Sequence, residues 1–208
     1  MNKTDFTIRP EAFADRRAAE EVAREAFWNV YRPGCLEHFV LHCWREHPDF
    51  VPELAHVLEK DGRIIGQIMY AKAAIQADDG RSIPVLTMGP IGILPAFQGC
   101  GYGKALLDYT LEKAAALGAG AVFFEGDISF YGRSGFVPAS SLGIRYHGLP
   151  EGADAGFFLG RELAPGYLAG VTGEYATPAP YFVDEAAAER FDAAFPQKEK
   201  LVLPGQIF

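Results

Sequence analysis

Ile91-Gly92-Ile93-Leu94-Pro95-Ala96-Phe97-Gln98-Gly99-Cys100-Gly101-Tyr102-Gly103-Lys104 decides how this chain folds. An apolar run breaks at Pro95 and passes through glycines at three alternate positions. It then enters a stretch, 102–117, with helical periodicity: Leu107, Leu111, Ala114 and Leu117 share one face, Lys104, Asp108 and Glu112 the other. The order is strand, glycine-rich turn, helix. The first N–H groups of a helix have no intrahelical acceptor, and the aligned peptide dipoles favour negative charge beside them. Glycine adds close backbone approach and access to positive φ. A plain strand-to-helix connection is the competing reading, but three glycines exceed what a tight turn needs.

Spacing narrows the choice of phosphate site. A P-loop requires G-x-x-x-x-G-K-[ST], and counting back from Gly103-Lys104 puts Gln98 at the first glycine and Ala105 at the hydroxyl position. A dinucleotide fingerprint G-x-G-x-x-G fails as well, because its third glycine would be Lys104 or Leu106. What remains is Gln98-x-x-Gly101-x-Gly103.

Working outward, Phe6-Thr7-Ile8-Arg9 reads as a strand that Pro10 stops, and Ala18, Val22, Ala26 and Phe27 mark a helix from Asp15. A second helical stretch covers about 34–46. Residues 55–60 and 63–75 flank Asp61-Gly62, a strong hairpin turn, and Asp78-Asp79-Gly80 leads into a third extended run, 82–94. Gly89-Pro90 and Gly92 predict that this strand is bulged or unpaired on one side, since proline donates nothing to a ladder. Gly118 and Gly120 read as C-terminal caps, 121–125 as a buried strand, and Asp127 as the cap of a short helix carrying Phe130 and Tyr131. Strands are expected near 142–146 and 156–163, and a helix over about 184–194.

The whole chain has 208 residues, 49% hydrophobic and 13% aromatic, enough for one sizeable core and against disorder. No apolar run reaches the roughly 20 residues of a bilayer span, and the first residues lack an apolar signal core. A cytoplasmic location is the expectation. The formal net charge is −8, without any basic stripe, which argues against tracking nucleic-acid phosphates. Cys35, Cys43 and Cys100 form no C-x-x-C pair, so neither a disulfide framework nor a cysteine-rich zinc site is expected. His38 and His42 stand at i, i+4 but lack a third ligand at a defined spacing, so no metal is expected.

Two blocks together resemble the GNAT superfamily of acetyl-CoA-dependent N-acyltransferases. One is Gln98-x-x-Gly101-x-Gly103 after Ile91-Gly-Ile93-Leu-Pro95; the other, Asp127 to Phe136, looks like that family's Tyr-x-x-x-Gly-Phe segment through Tyr131, Gly135 and Phe136. Ile8-Arg9-Pro10 fits its usual first strand. The resemblance spans about 6–163 and implies an α+β fold: a mixed, mostly antiparallel sheet with splayed central strands, flanked by helices. It divides the chain into an N-acetyltransferase domain, 1–164, and an extension, 165–208, packed on it.

The same resemblance implies acetyl-CoA as cosubstrate and a primary amine, small-molecule or peptide, as acceptor, in a monomer or homodimer. Gln98, Gly99, Cys100, Gly101, Tyr102, Gly103 and Lys104 would cradle the pyrophosphate, and the backbones of Ile91 and Ile93 would pair with the pantetheine amides. Cys100 replaces the basic residue usual in this loop, leaving backbone amides and Lys104 to balance the phosphate charge. Tyr131 would give a proton to the departing sulfur. The acid usual on the fourth strand is missing from 82–93. Glu125 is then the nearest base, against the alternatives of a structural strand-end carboxylate and a water chain to bulk. By fold-level analogy His42 and Trp44 border the acceptor. A non-catalytic acyl-CoA-binding module is the second reading.

Overall fold

Alternating apolar and polar residues joined by tight turns make a meander of the first half of the chain, seen in a computed structural model that describes residues 6–150 and 152–207. Strands β1 (Thr7–Pro10), β2 (His56–Lys60), β3 (Arg63–Ala77) and β4 (Ser82–Ile93) pair antiparallel in that order. Asp61 and Gly62 take φ of 50° and 75°, as the two-residue hairpin demands. Beyond β4 come β5 (Ala121–Glu125), β8 (Phe158–Glu162) and, at the edge, β6 (Val137–Pro138). β7 (Ile144–Tyr146) pairs with β9 (Gly173–Tyr175), which also joins the far end of β3.

The central strands open as the glycines and proline of β4 foretell. β4 and β5 are parallel and share one register pair, Leu86 with Val122. Gly89 and Pro90 both fall between the pairs Met88–Tyr70 and Ile91–Ile68, so β4 bulges opposite Met69. From the bulge to Ile93 the strand keeps its bonds to β3 and has none to β5.

Helices cover both faces because strand side chains alternate. On one side Leu106, Leu107, Leu111 and Ala114 of α3 (Tyr102–Ala116) pack with Ile68 and Tyr70. On the other, α1 (Arg16–Phe27) and α2 (Glu37–Trp44) bury Ala19, Ala23, Leu41 and Trp44 against Met69 and Ala71. A short α4 (Ile128–Tyr131) follows β5, and α5 (Glu185–Asp192) closes the chain's last third.

The segment expected as an extension is woven into this body over its described residues, 165–207. Tyr175 of β9 is fully buried with Phe123 and Phe158. Asp192 of α5 accepts from Arg24 of α1 at 2.5 and 3.2 Å, and the Arg24 side chain is only 3% exposed. The chain end is tied to the loop after α1: Leu201 N donates to Asn29 Oδ1 at 3.1 Å and Ile207 N to Tyr31 O at 2.8 Å.

Two local expectations need correction, and one strand lies outside what periodicity shows. Leu117 is 59% exposed, because α3 stops at Ala116 and Gly118 (φ +87°) turns the chain away. Gly120 is no cap; a β-carbon there would collide with the ring of Tyr167. β9 was not foreseen, since Gly173-Glu174-Tyr175 is too short to show a period.

Candidate active site

The turn between β4 and α3 is a cradle of unused donors. Ala105 N is the first to bond back, to Gly101 O at 3.0 Å. The N–H groups of Gly99, Cys100, Gly101, Tyr102, Gly103 and Lys104 have no acceptor among the described residues. Gly99 and Gly101 hold φ of +72° and +88°, and β-carbons built on them meet nothing within 4 Å, so the turn is open on the side of those two residues. Free amides at the start of a helix suit an anion such as a diphosphate. Gln98 shapes the turn by donating Nε2 to Ile93 O at 2.9 Å. Gly103 is required for packing as well: a β-carbon would come within 3.2 Å of Phe130. The Lys104 ammonium is engaged by Asp108 one helical turn on, so its charge is shared rather than free for the loop.

The open edge of β4 supplies further unpaired groups. Leu94 N donates to Ile65 O on β3 at 2.9 Å. Strand alternation therefore points the N–H groups of Ile93 and Ile91 and the Ile91 C=O the other way, into the gap toward β5, while the Ile93 C=O is taken by Gln98. Tyr181 from the extension enters this gap and donates to Gly89 O at 2.9 Å, and Tyr175 donates to Thr87 Oγ1 at 3.0 Å. Burial pushes both phenols above the ordinary tyrosine value.

Tyr131 closes the gap from α4. Its ring packs edge-on against Phe124 (4.6 Å) and Phe136 (6.0 Å), and a β-carbon on Gly126 would sit 2.6 Å from its Cε2. No described residue hydrogen-bonds its hydroxyl. Burial raises its pKa, with Tyr31 and Asp127 adding to the effect, so it stays protonated at neutral pH. Asp127 caps α4, its Oδ1 accepting from Ser129 N at 2.8 Å.

Glu125, at the exposed end of β5, accepts from Thr177 Oγ1, and the Tyr146 hydroxyl lies 2.6 Å from the same Thr177 oxygen. Thr177 has one proton and gives it to the carboxylate, so Tyr146 is the donor in the second bond. Thr177, Tyr175 and Tyr181 all come from the extension and are missed by motif reading. Only the tyrosine-rich composition of 167–181 hints at them. Beside Glu125 a cleft of about 660 Å³ is lined by Tyr31, Asp127, Ile128, Phe157 and Ile207.

Other expected contacts lie elsewhere. Trp44 is fully buried with its ring 5.0 Å from Tyr181, so it braces the site and does not line it. His42 bonds Glu20 at 3.0 Å and packs on Phe191. His38 is fully buried with Nε2 3.1 Å from Asp192 Oδ1 but out of line for a hydrogen bond; burial lowers its pKa to about 4. Among the described residues no three His, Cys, Asp or Glu side chains are grouped to hold a metal ion, and no helix is long and apolar enough to cross a membrane.

Comparison with known proteins fits this geometry. The Acetyltransferase (GNAT) family model matches residues 18–136, more than half of the chain. The chain belongs to that family. It is similar to the GNAT family N-acetyltransferase YhbS of Escherichia coli, solved in complex with CoA: TM-score 0.74, 24% identity, covering 87% of this chain and 94% of that one. A GNAT family acetyltransferase from Brucella melitensis, in complex with acetyl-CoA, gives a TM-score of 0.65 at 24% identity, covering 85% and 97%. The uncharacterized N-acetyltransferase YjhQ of Escherichia coli is 28% identical over 90 residues, 43% of this chain and 49% of that protein. The match thus spans about half the length of that curated relative.

Proposed function

We propose that the protein transfers an acetyl group from acetyl-CoA to a primary amine, small-molecule or peptide, by direct attack while both are bound. The observation that carries this is the run of six unpaired N–H groups, 99–104, beside the open edge of β4. Those amides would hold the diphosphate, and Ile91 and Ile93 would bond the pantetheine amides as an added strand does. The carrier supplies an acetyl thioester. An N–H of the β4 edge would stabilise the oxyanion that develops at its carbonyl.

Proton traffic falls to two side chains. An alkylamine is mostly cationic at neutral pH and must lose a proton before its nitrogen attacks. Glu125, fixed by Thr177, would accept that proton. As the C–N bond forms and the C–S bond breaks, Tyr131 would give its own proton to the sulfur, and the second proton lost by the nitrogen would pass through solvent to restore the phenol. We place this activity in the cytoplasm, in a monomer or homodimer, with no nucleic-acid or membrane partner.

Titration calorimetry with acetyl-CoA tests the binding half, and no heat at millimolar ligand would sink it. Thiol release across a panel of amines, wild type against Tyr131→Phe, tests the chemistry. The absence of any acid on 82–93 favours one other reading, a non-catalytic acyl-CoA-binding module. Tight cofactor binding with no thiol release on any acceptor would select it.

A further inference from the structure

We infer that the acceptor is an amine carried on an apolar body of about one aromatic ring, and that the cleft at the end of β5 is where it binds. The reaction at its nitrogen rests on the acetyltransfer reading; the cleft's preference rests on its walls.

Large apolar side chains are normally exposed singly on a soluble protein. Here Tyr31 (48% exposed), Ile128 (40%) and Phe157 (41%) converge from three separate segments on one hollow. Its volume, about 660 Å³, lies inside the range of roughly 300–1,000 Å³ for small-molecule sites. Glu125 and Asp127 stand on the same rim, and neither has a Lys, Arg or His in ion-pair range among the described residues. Their hydrogen bonds, from Thr177 and Ser129, hold the carboxylates without neutralising them. A cation is thus the missing partner, and the rings of Tyr31 and Phe157 add to its attraction.

The position is right for chemistry. Gly126 forms part of the cleft wall, and the Tyr131 ring lies against that same glycine. Glu125 follows Phe123 on one face of β5 and Tyr131 packs with Phe124 on the other, so an ammonium held by Glu125 would meet the proposed proton donor across the strand end at Gly126, with its apolar body against Phe157 and Ile128. A free amino acid would bring a third carboxylate to the rim and be repelled. A polyamine would leave its remaining charges against apolar walls.

Calorimetry on the CoA-loaded full chain with three matched probes tests this: 2-phenylethylamine, ethylamine and 2-phenylethanol. The expected result is that 2-phenylethylamine binds at least about tenfold tighter than either of the others, since each lacks one half of the recognition. Phe157→Ser, on an exposed loop residue, should weaken 2-phenylethylamine by a clearly larger factor than ethylamine, which loses only the ring's attraction for its charge. Glu125→Gln should bring the amine to the level of the alcohol. Equal affinity for the three probes, or no binding of 2-phenylethylamine at about 10 mM, overturns the inference. The CoA titration made first in the same cell keeps the readings apart. CoA binding without amine selectivity defeats this inference alone, and amine selectivity without CoA binding defeats the transfer reading alone.

Discussion

Gly101→Val puts the phosphate cradle to a quantitative test. Gly101 caps α3 at φ +88°, and a β-carbon there meets no protein atom within 4 Å. The fold therefore suffers only the left-handed backbone penalty, about 1–2 kcal/mol, or more for a β-branched residue. At 2–4 °C per kcal/mol for a chain of this size, the melting temperature should drop by roughly 2–8 °C. The ligand should suffer more, because the new side chain fills open space that a phosphate held by this turn would need. Loss of two charge-assisted hydrogen bonds at about 1.5–3 kcal/mol each corresponds to roughly 10²–10⁴ in CoA affinity. Pantetheine carries no phosphate and should bind the variant within about threefold of wild type, a difference under 1 kcal/mol. Calorimetry with both ligands reads the contrast directly. A folded variant that binds CoA as well as wild type, or that weakens CoA and pantetheine equally, refutes the reasoning. Gly99→Ala, at φ +72° with the same open surroundings, is the milder companion.

Tyr131→Phe keeps the ring contacts with Phe124 and Phe136 and removes only the hydroxyl. It should lower kcat about 10²–10⁴-fold with acetyl-CoA affinity unchanged; an unaltered kcat contradicts the assignment. Because burial raises the Tyr131 pKa above its ordinary 10.0, its deprotonation should cost the wild type no activity until the pH passes 10, as a pH–rate profile would show. His38, shifted from 6.5 to about 4, stays neutral in the folded state where the unfolded chain takes up a proton. Stability should therefore fall as pH drops through that window, by about 2 kcal/mol between pH 7 and 5 in urea titrations, and His38→Gln should flatten the slope. A flat wild-type profile would be inconsistent with a neutral buried imidazole. Asp192→Ala strands the buried Arg24 guanidinium and should cost roughly 3–5 kcal/mol, a melting-temperature drop of about 6–20 °C. The paired change Arg24→Met with Asp192→Leu should recover most of it, and a loss under about 1 kcal/mol in the single variant would show that the extension is not anchored there.

Local chemistry makes much of this molecule legible in its sequence. Asp61-Gly62 fixes a hairpin, Gly89-Pro90 breaks a ladder, and Gly99 and Gly101 open a turn whose amides stay free; each works within a few residues of itself. Long-range partners were not legible. Thr177 reaches Glu125 from 52 positions away and Tyr181 reaches Gly89 from 92, and nothing in their neighbours' periodicity announces it. Lys104 shows the same limit at short range, since i, i+4 spacing allowed the Asp108 pairing while the loop context suggested phosphate. Trp44 looks like a substrate contact by analogy because it lies on the second helix, whereas the packing of Tyr181 makes it core.

The central claim is that the amides of 99–104, beside the unpaired edge at Ile91 and Ile93, hold the acyl carrier. Amide-resolved nitrogen–proton NMR during a titration with acetyl-CoA addresses it directly. The account predicts large shifts and slowed hydrogen exchange concentrated at Gly99–Lys104, Ile91 and Ile93. Saturable binding that leaves those amides unmoved while others respond would contradict it.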